Sequence, residues 1–172
     1  MTQQAGDYCC HAWTIKDKRG EYGHTLFSKY PLKDQLIYDV SIHQREPRAV
    51  IETIIQLAMT KVRILAIHLG LGIGDKARQL TKLQDIIGNS DIIPTIIMGD
   101  FNEWWPGQVD GLFAGRFGVD NRPCSFPSFL PVLSLDRILC SKEFQILDMR
   151  TVTSTCWASD HLPIMAELKY SS

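Results

Sequence analysis

The sequence predicts a layered α+β domain in which strands outnumber helices. Three observations predict it. Short Ile- and Val-rich segments recur along the chain, each bounded by turn residues. Only one stretch, Lys76 to Ile87, carries sustained helical spacing, with Ala77, Leu80, Leu83 and Ile87 on one face. No internal repeat or low-complexity tract is visible. Strands with isolated helices need a layer to bury each apolar face, which is the α+β arrangement.

Taken in order, Tyr8 to Ile15 is an aromatic, apolar strand, and Lys16 to Gly20 is a polar turn. Thr25 to Ser28 and Leu36 to Ile42 are strands separated by a turn at Pro31. Ala49 to Gln56 and Val62 to Leu69 read as a hairpin, because both are Ile/Val-rich and their link is short. Gly70 to Gly74 is a loop that matches no phosphate-binding motif. The helix over 76–87 has Asp75 as its expected N-cap and Gly88-Asn89 as its stop. Ile92 to Met98 is a buried strand, and Gln108 to Gly115 a short helical stretch. Pro123, Pro127 and Pro131 make 125–133 a loop. Asp136 to Cys140, Phe144 to Thr153 and Ile164 to Tyr170 complete the strands.

A length of 172 residues implies a single domain spanning 1–172 and is enough to bury a core. The 45% hydrophobic and 22% charged fractions are those of a globular protein. The net charge of −1 argues against tight nonspecific binding to nucleic acid, which usually needs a basic surface. Five cysteines, an odd number with no Cys-x-x-Cys pair, argue against a disulfide framework or a zinc ribbon. No stretch approaches a membrane span. The polar start, Met1 to Asp7, has no apolar core of a signal peptide, so the expected location is cytoplasmic.

The chemistry-bearing residues cluster in three segments. Gly99-Asp-Phe-Asn-Glu103 follows the strand over 92–98. Asp100 and Asn102, two apart on an extended backbone, share a face. A carboxylate and an amide at a strand mouth suit a hard divalent cation or a phosphate oxygen. The other two segments are Leu135-Asp-Arg-Ile-Leu139 and Ser159-Asp-His-Leu-Pro163. Asp160 and His161 are adjacent, so on a strand their side chains diverge and their roles must differ.

In this order the segments resemble the endonuclease/exonuclease/phosphatase (DNase I-like) superfamily of metal-dependent phosphoesterases. Tyr22-Gly-His-Thr-Leu-Phe-Ser-Lys-Tyr-Pro-Leu32, Glu46-Pro-Arg48 and Ile67-His-Leu-Gly-Leu71 are similar to further blocks of that family, so the likeness runs from about Glu21 to Lys169. The resemblance implies a two-sheet β-sandwich flanked by helices, with the site where strand ends meet at one edge. It implies Mg²⁺ or Mn²⁺ as cofactor and a phosphate ester as substrate, whether nucleic acid, lipid or small molecule. Asp160 and Asp100 are implied near the metal. His161 is implied to be catalytic and paired to Asp136. Asp100 would orient or deprotonate water and Asn102 would donate to the phosphate. The sequence does not decide which of Asp100 and His161 is the base. His68 is implied to contact phosphate or protonate the leaving group, with Arg48 and His24 binding substrate. His24 stands where many members carry Asn. Arg137 and Glu103 read as structural, and Trp104-Trp105 as loop packing ahead of a substrate platform.

One departure is large. The family's opening strand with Asn and its Gln-Glu strand end, which supplies the principal metal ligand, have no counterpart here. The expectation is an N-terminally incomplete sandwich whose sheet edges are exposed and prone to self-association. It follows that cation binding is weakened. The competing expectation is a catalytically inactive or truncated member acting as a scaffold or binding module.

Overall fold

A computed structural model describes residues 6–18, 20–88, 93–118, 122–155 and 157–171. Its strands are β1 (Tyr8–Asp17), β2 (Gly20–Ser28), β3 (Lys33–Asp39), β4 (Ala49–Leu57), β5 (Thr60–His68), β6 (Thr95–Asp100), β7 (Phe117–Gly118), β8 (Asp136–Ser141), β9 (Phe144–Thr151) and β10 (Ile164–Tyr170). Helix α1 spans Ile73–Gly88 and α2 spans Gln108–Phe113. Six strands form one sheet in the order β3-β4-β5-β6-β8-β7. Hairpins β1-β2 and β9-β10 are separate two-stranded sheets that lie over it. This is the expected sandwich, with the second layer built from two hairpins.

The alternation of side chains along β4 and β5 explains the layering. Val50, Leu65 and Ile67 point to one side, where Leu80, Leu83 and Ile87 of α1 and Val109 and Phe113 of α2 cover them. Ile51, Ile55, Val62, Ile64 and Ala66 point to the other, against Cys10, Ala12 and Leu26 of the first hairpin and Phe144 at the start of β9. A strand covered on both faces reads as a continuous apolar run, which is why this hairpin was legible. The turn between β4 and β5 is two residues, Ala58 and Met59, with Ala58 at φ +49°.

β5 and β6 are parallel, so the chain must cross over between them, and α1 makes that crossing. α1 begins at Ile73, earlier than its periodicity predicts, and the Lys76 N–H donates to the Gly72 carbonyl. Asp75 therefore sits inside the first turn, where it pairs with Arg45 at 3.0 Å. A carboxylate in that turn still suits the positive end of the helix dipole. At the other end Arg63 bonds Glu52 through two nitrogens (2.8 and 2.7 Å) and the Ile86 carbonyl (2.8 Å), tying the hairpin to the helix. Ile92, where the sequence reading begins β6, the stop residue Asn89 and Cys156 lie outside the described residues.

Other boundaries also differ from the sequence reading. β1 and β2 pair through to Asp17 and Gly20, within the span expected to be a turn. β3 stops at Asp39 because Val40 turns its N–H to the Arg48 carbonyl instead.

Gly99 is where backbone packing demands glycine. Its φ is +136°, and a Cβ there would lie 2.0 Å from the Ile67 carbonyl oxygen. Gly99→Ala must move β6 away from β5, next to the residues at their ends. The expected cost is about 2 kcal/mol or more, a fall in Tm of roughly 5 °C for a chain of this size, measurable by circular dichroism.

Candidate active site

Three neighbouring strands end together and set the site. His68 closes β5, Asp100 closes β6 and Asp136 opens β8. The register places His68 opposite Asp100 and Asp100 opposite Asp136. One row across the sheet thus holds an imidazole and two carboxylates. His161, from the loop before β10, completes it by bonding Asp136 from Nδ1 to Oδ2 at 2.7 Å. Ligating atoms of Asp100, Asp136 and His161 all lie within 4.8 Å of one another.

Asp100 is held by its own loop. Its Oδ1 accepts the Asn102 N–H at 2.7 Å, an Asx-type turn. Asn102 is buried, at φ +51°, and its Nδ2 donates to the Leu69 carbonyl (2.9 Å) and to Asp100 Oδ2 (3.0 Å). The amide expected to face phosphate is here engaged in fixing the carboxylate. Burial first, and then the neighbouring Asp136 charge, push the Asp100 pKa up to about 6, against the opposing pull of the Asn102 N–H, His161 and Lys76.

His161 is shifted the other way from an ordinary buried imidazole. Burial alone lowers its pKa. The bond to Asp136 and the charges of Asp136, Asp100 and Asp160 outweigh that and leave it raised. Its neighbour Asp160 is exposed, and its backbone carbonyl accepts the Ser128 N–H at 2.7 Å. The Asp160 side chain is outside the three-residue cluster found among the described residues.

His68 lies 3.6 Å from Asp100, Nε2 to Oδ2. Burial, then Arg48, His24 and His161, lower its pKa to about 4, so it is neutral at physiological pH. His24 on β2 donates from Nε2 to the Ala66 carbonyl at 3.1 Å, and burial lowers its pKa as well. Arg48 is buried just before β4, with Nη2 on Glu46 at 2.9 Å and its Nε left without a partner. His24, Asp136 and His161 line a groove of 460 Å³, floored by Ala66, Met98 and Ile138. Arg48 lines an adjoining cleft of 420 Å³ with Gly70, Gly72 and Gln79.

Behind the site, Arg137 bonds Glu103 (2.8 Å) and Asp110 (2.6 Å), and Glu103 also accepts the Val109 N–H (2.8 Å). This buried network ties the loop after Asn102 to α2 and to β8, in line with the structural reading of Arg137 and Glu103. Trp104 packs edge-on against Phe126 at 5.7 Å, and Phe126 stands 5.0 Å from His161.

Lys76 was missed from the sequence. It is buried in the first turn of α1, where burial lowers its pKa against the attraction of Asp100 and Glu103. A lysine at a helix N-terminus opposes the dipole, so its placement there was the available signal that a nearby anion holds it.

Comparison with known proteins identifies relatives of this fold. Residues 2–161 match the model of the Endonuclease/Exonuclease/phosphatase family. The uncharacterised protein YbhP of Escherichia coli is 31% identical over 167 residues, covering 87% of this chain and 63% of YbhP. The chain thus spans less than two thirds of the length of that relative. A functionally unknown conserved protein from Enterococcus faecalis superposes with a TM-score of 0.80 at 20% identity, over 95% of this chain and 77% of that one. A mannosyl-6-phosphatase from Bacteroides thetaiotaomicron superposes with a TM-score of 0.74 at 16% identity, over 94% of this chain and 77% of that one.

Asp136→Asn removes the leading influence that raises the His161 pKa. Followed by NMR of its ring protons, that pKa is expected to be lower in the variant than in the wild type. The stability linkage has a definite sign. A raised imidazole pKa stabilises the fold below the ordinary value, and that contribution is lost as pH rises through the folded value.

Proposed function

The chain belongs to the endonuclease/exonuclease/phosphatase family, and we propose that it is a metal-dependent phosphoesterase whose catalytic group is Asp100, Asp136 and His161. One observation carries this reading. A 2.7 Å Asp–His bond stands beside a second carboxylate at adjoining strand ends. Two carboxylates crowded in a half-buried place repel, which adds to burial in raising the Asp100 pKa. A cation held by Asp100 and Asp136 would relieve that conflict. Carboxylate oxygens suit a hard ion such as Mg²⁺ or Mn²⁺. Asp100 is the first candidate ligand, with Asp136 its neighbour, and the exposed Asp160 is the further carboxylate that the sequence nominates. When bound, such an ion would neutralise phosphate charge.

The chain's own groups divide the remaining work. Asp100, with a pKa of about 6, is ionised at neutral pH yet basic enough to orient water and take its proton. Asn102 keeps it in place. His161 has Nδ1 committed to Asp136, so Nε2 is the nitrogen left to meet the phosphate, and its raised pKa favours the cationic form there. His68 stays neutral and can donate one hydrogen bond to an oxygen of the ester. Arg48 adds a permanent positive charge to the same side, and His24 borders the groove beside it.

The test is hydrolysis of bis-p-nitrophenyl phosphate and p-nitrophenyl phosphate with Mg²⁺, Mn²⁺ or EDTA. Turnover is expected with metal only, falling 10²–10⁴-fold in His161→Ala, about the value of a general acid–base group. A folded chain with no turnover under any condition would favour the inactive, scaffold reading instead.

Cation binding must displace the Asp100 proton. The rise in Tm on adding Mg²⁺ is therefore expected to be small at pH 5 and full at pH 8, with its midpoint near 6. A rise independent of pH would place the ion elsewhere.

A further inference from the structure

Large apolar side chains on the surface are distributed unevenly. Among the described residues, seven are at least 60% exposed. Met59 is at the β4–β5 turn, opposite the strand ends that form the site. The other six, Leu71, Trp105, Phe129, Leu130, Val132 and Trp157, are all on loops at the site end. Phe129 and Trp157 are each 84% exposed.

These loops form one rim. Trp104, Trp105 and Leu71 border a common small cleft. Trp104 packs on Phe126, Phe126 on His161, and Phe126 opens the loop that carries Phe129 to Val132. Val132 and Leu133 fold back to the Phe126 carbonyl (2.9 Å each), which makes this loop a tip that protrudes. The Ser128 N–H joins the tip to Asp160, three residues beyond Trp157. Two segments of the rim are also uncharged. Pro123 to Leu135 contains no Asp, Glu, Lys or Arg, nor does Thr151 to Ser159, in a chain that is 22% charged.

We propose that this rim inserts into a phospholipid surface and that the site takes a phosphate ester presented by that surface. Uncharged tips with Trp and Phe match the interfacial layer of a bilayer, where amphipathic aromatic rings settle and no charge has to be desolvated. Their position around His161 brings the headgroup layer to the reacting groups. A nucleic-acid partner would instead require cations on these tips to meet its phosphates. The substrate half of this inference rests on the phosphoesterase reading, whereas the surface-binding half does not.

The experiment measures partition of the wild-type chain onto phosphatidylcholine vesicles in EDTA, by sedimentation and by tryptophan emission. Partition with a blue shift, retained in 0.5 M NaCl, is expected. The triple variant Phe129→Ser/Leu130→Ser/Trp157→Ser is expected to partition at least tenfold more weakly while keeping the wild-type Tm and the rate on bis-p-nitrophenyl phosphate. Absence of wild-type partition, or equal partition by the variant, overturns the proposal. So does a wild-type dimer, seen by light scattering, that dissociates in the variant and ignores vesicles, because the rim is then an interface between copies. Salt-sensitive binding of a single-stranded oligonucleotide in place of vesicles overturns it too. Because the vesicle measurement needs no turnover, failure of hydrolysis alone sinks the phosphoesterase reading and leaves this result standing.

Discussion

Two carboxylates on adjacent strands, forced side by side by β-sheet register, are the constraint on which this site depends. Asp100 and Asp136 cannot separate without breaking the β6–β8 ladder. Burial, and then their repulsion, raise the Asp100 pKa to about 6, and the same Asp136 carboxylate holds His161 by a 2.7 Å bond. One electrostatic conflict thus holds a carboxylate whose pKa is raised beside an imidazole whose charged form is favoured.

The surroundings are organised to maintain that conflict. Asn102 donates twice to Asp100 and once to the Leu69 carbonyl, so the carboxylate cannot rotate away from its neighbour. Gly99 lets β6 approach β5 closely enough to bring His68 within 3.6 Å of Asp100. Arg137, Glu103 and Asp110 brace the next loop from behind. An ion network of this burial is a weak source of net stability, since desolvation offsets most of the attraction. Its value lies in fixing the loop that carries Asn102 and Trp104.

The histidines show how context decides role. His161, His68 and His24 have the same side chain, yet one has a raised pKa and two have lowered ones. The difference is the partner. His161 faces Asp136, while His24 donates to a carbonyl and His68 sits among Arg48 and other imidazoles, with Asp136 too weak an influence to reverse its burial. The result is a site with one imidazole whose charged form is favoured and two whose neutral form is favoured.

Much of this was written in local sequence. The β4–β5 hairpin showed as two Ile/Val runs because both faces of each strand are buried, and α1 showed as periodicity because one face is. Asp100 with Asn102 was legible as a contiguous motif at a strand end, whereas the pairing of Asp136 with His161 was expected only from the family resemblance. Other features had no local signal. That Asn102 spends its amide on Asp100 and Leu69, that Lys76 is buried near Asp100 and Glu103, and that Phe126 packs against His161 all follow from the tertiary fold. Sequence alone determined which residue types stand at the strand ends, since periodicity and turn chemistry act over a few residues. Only the tertiary structure decided how those groups shift one another's protons, because charge and burial act through space across strands that the chain order keeps apart.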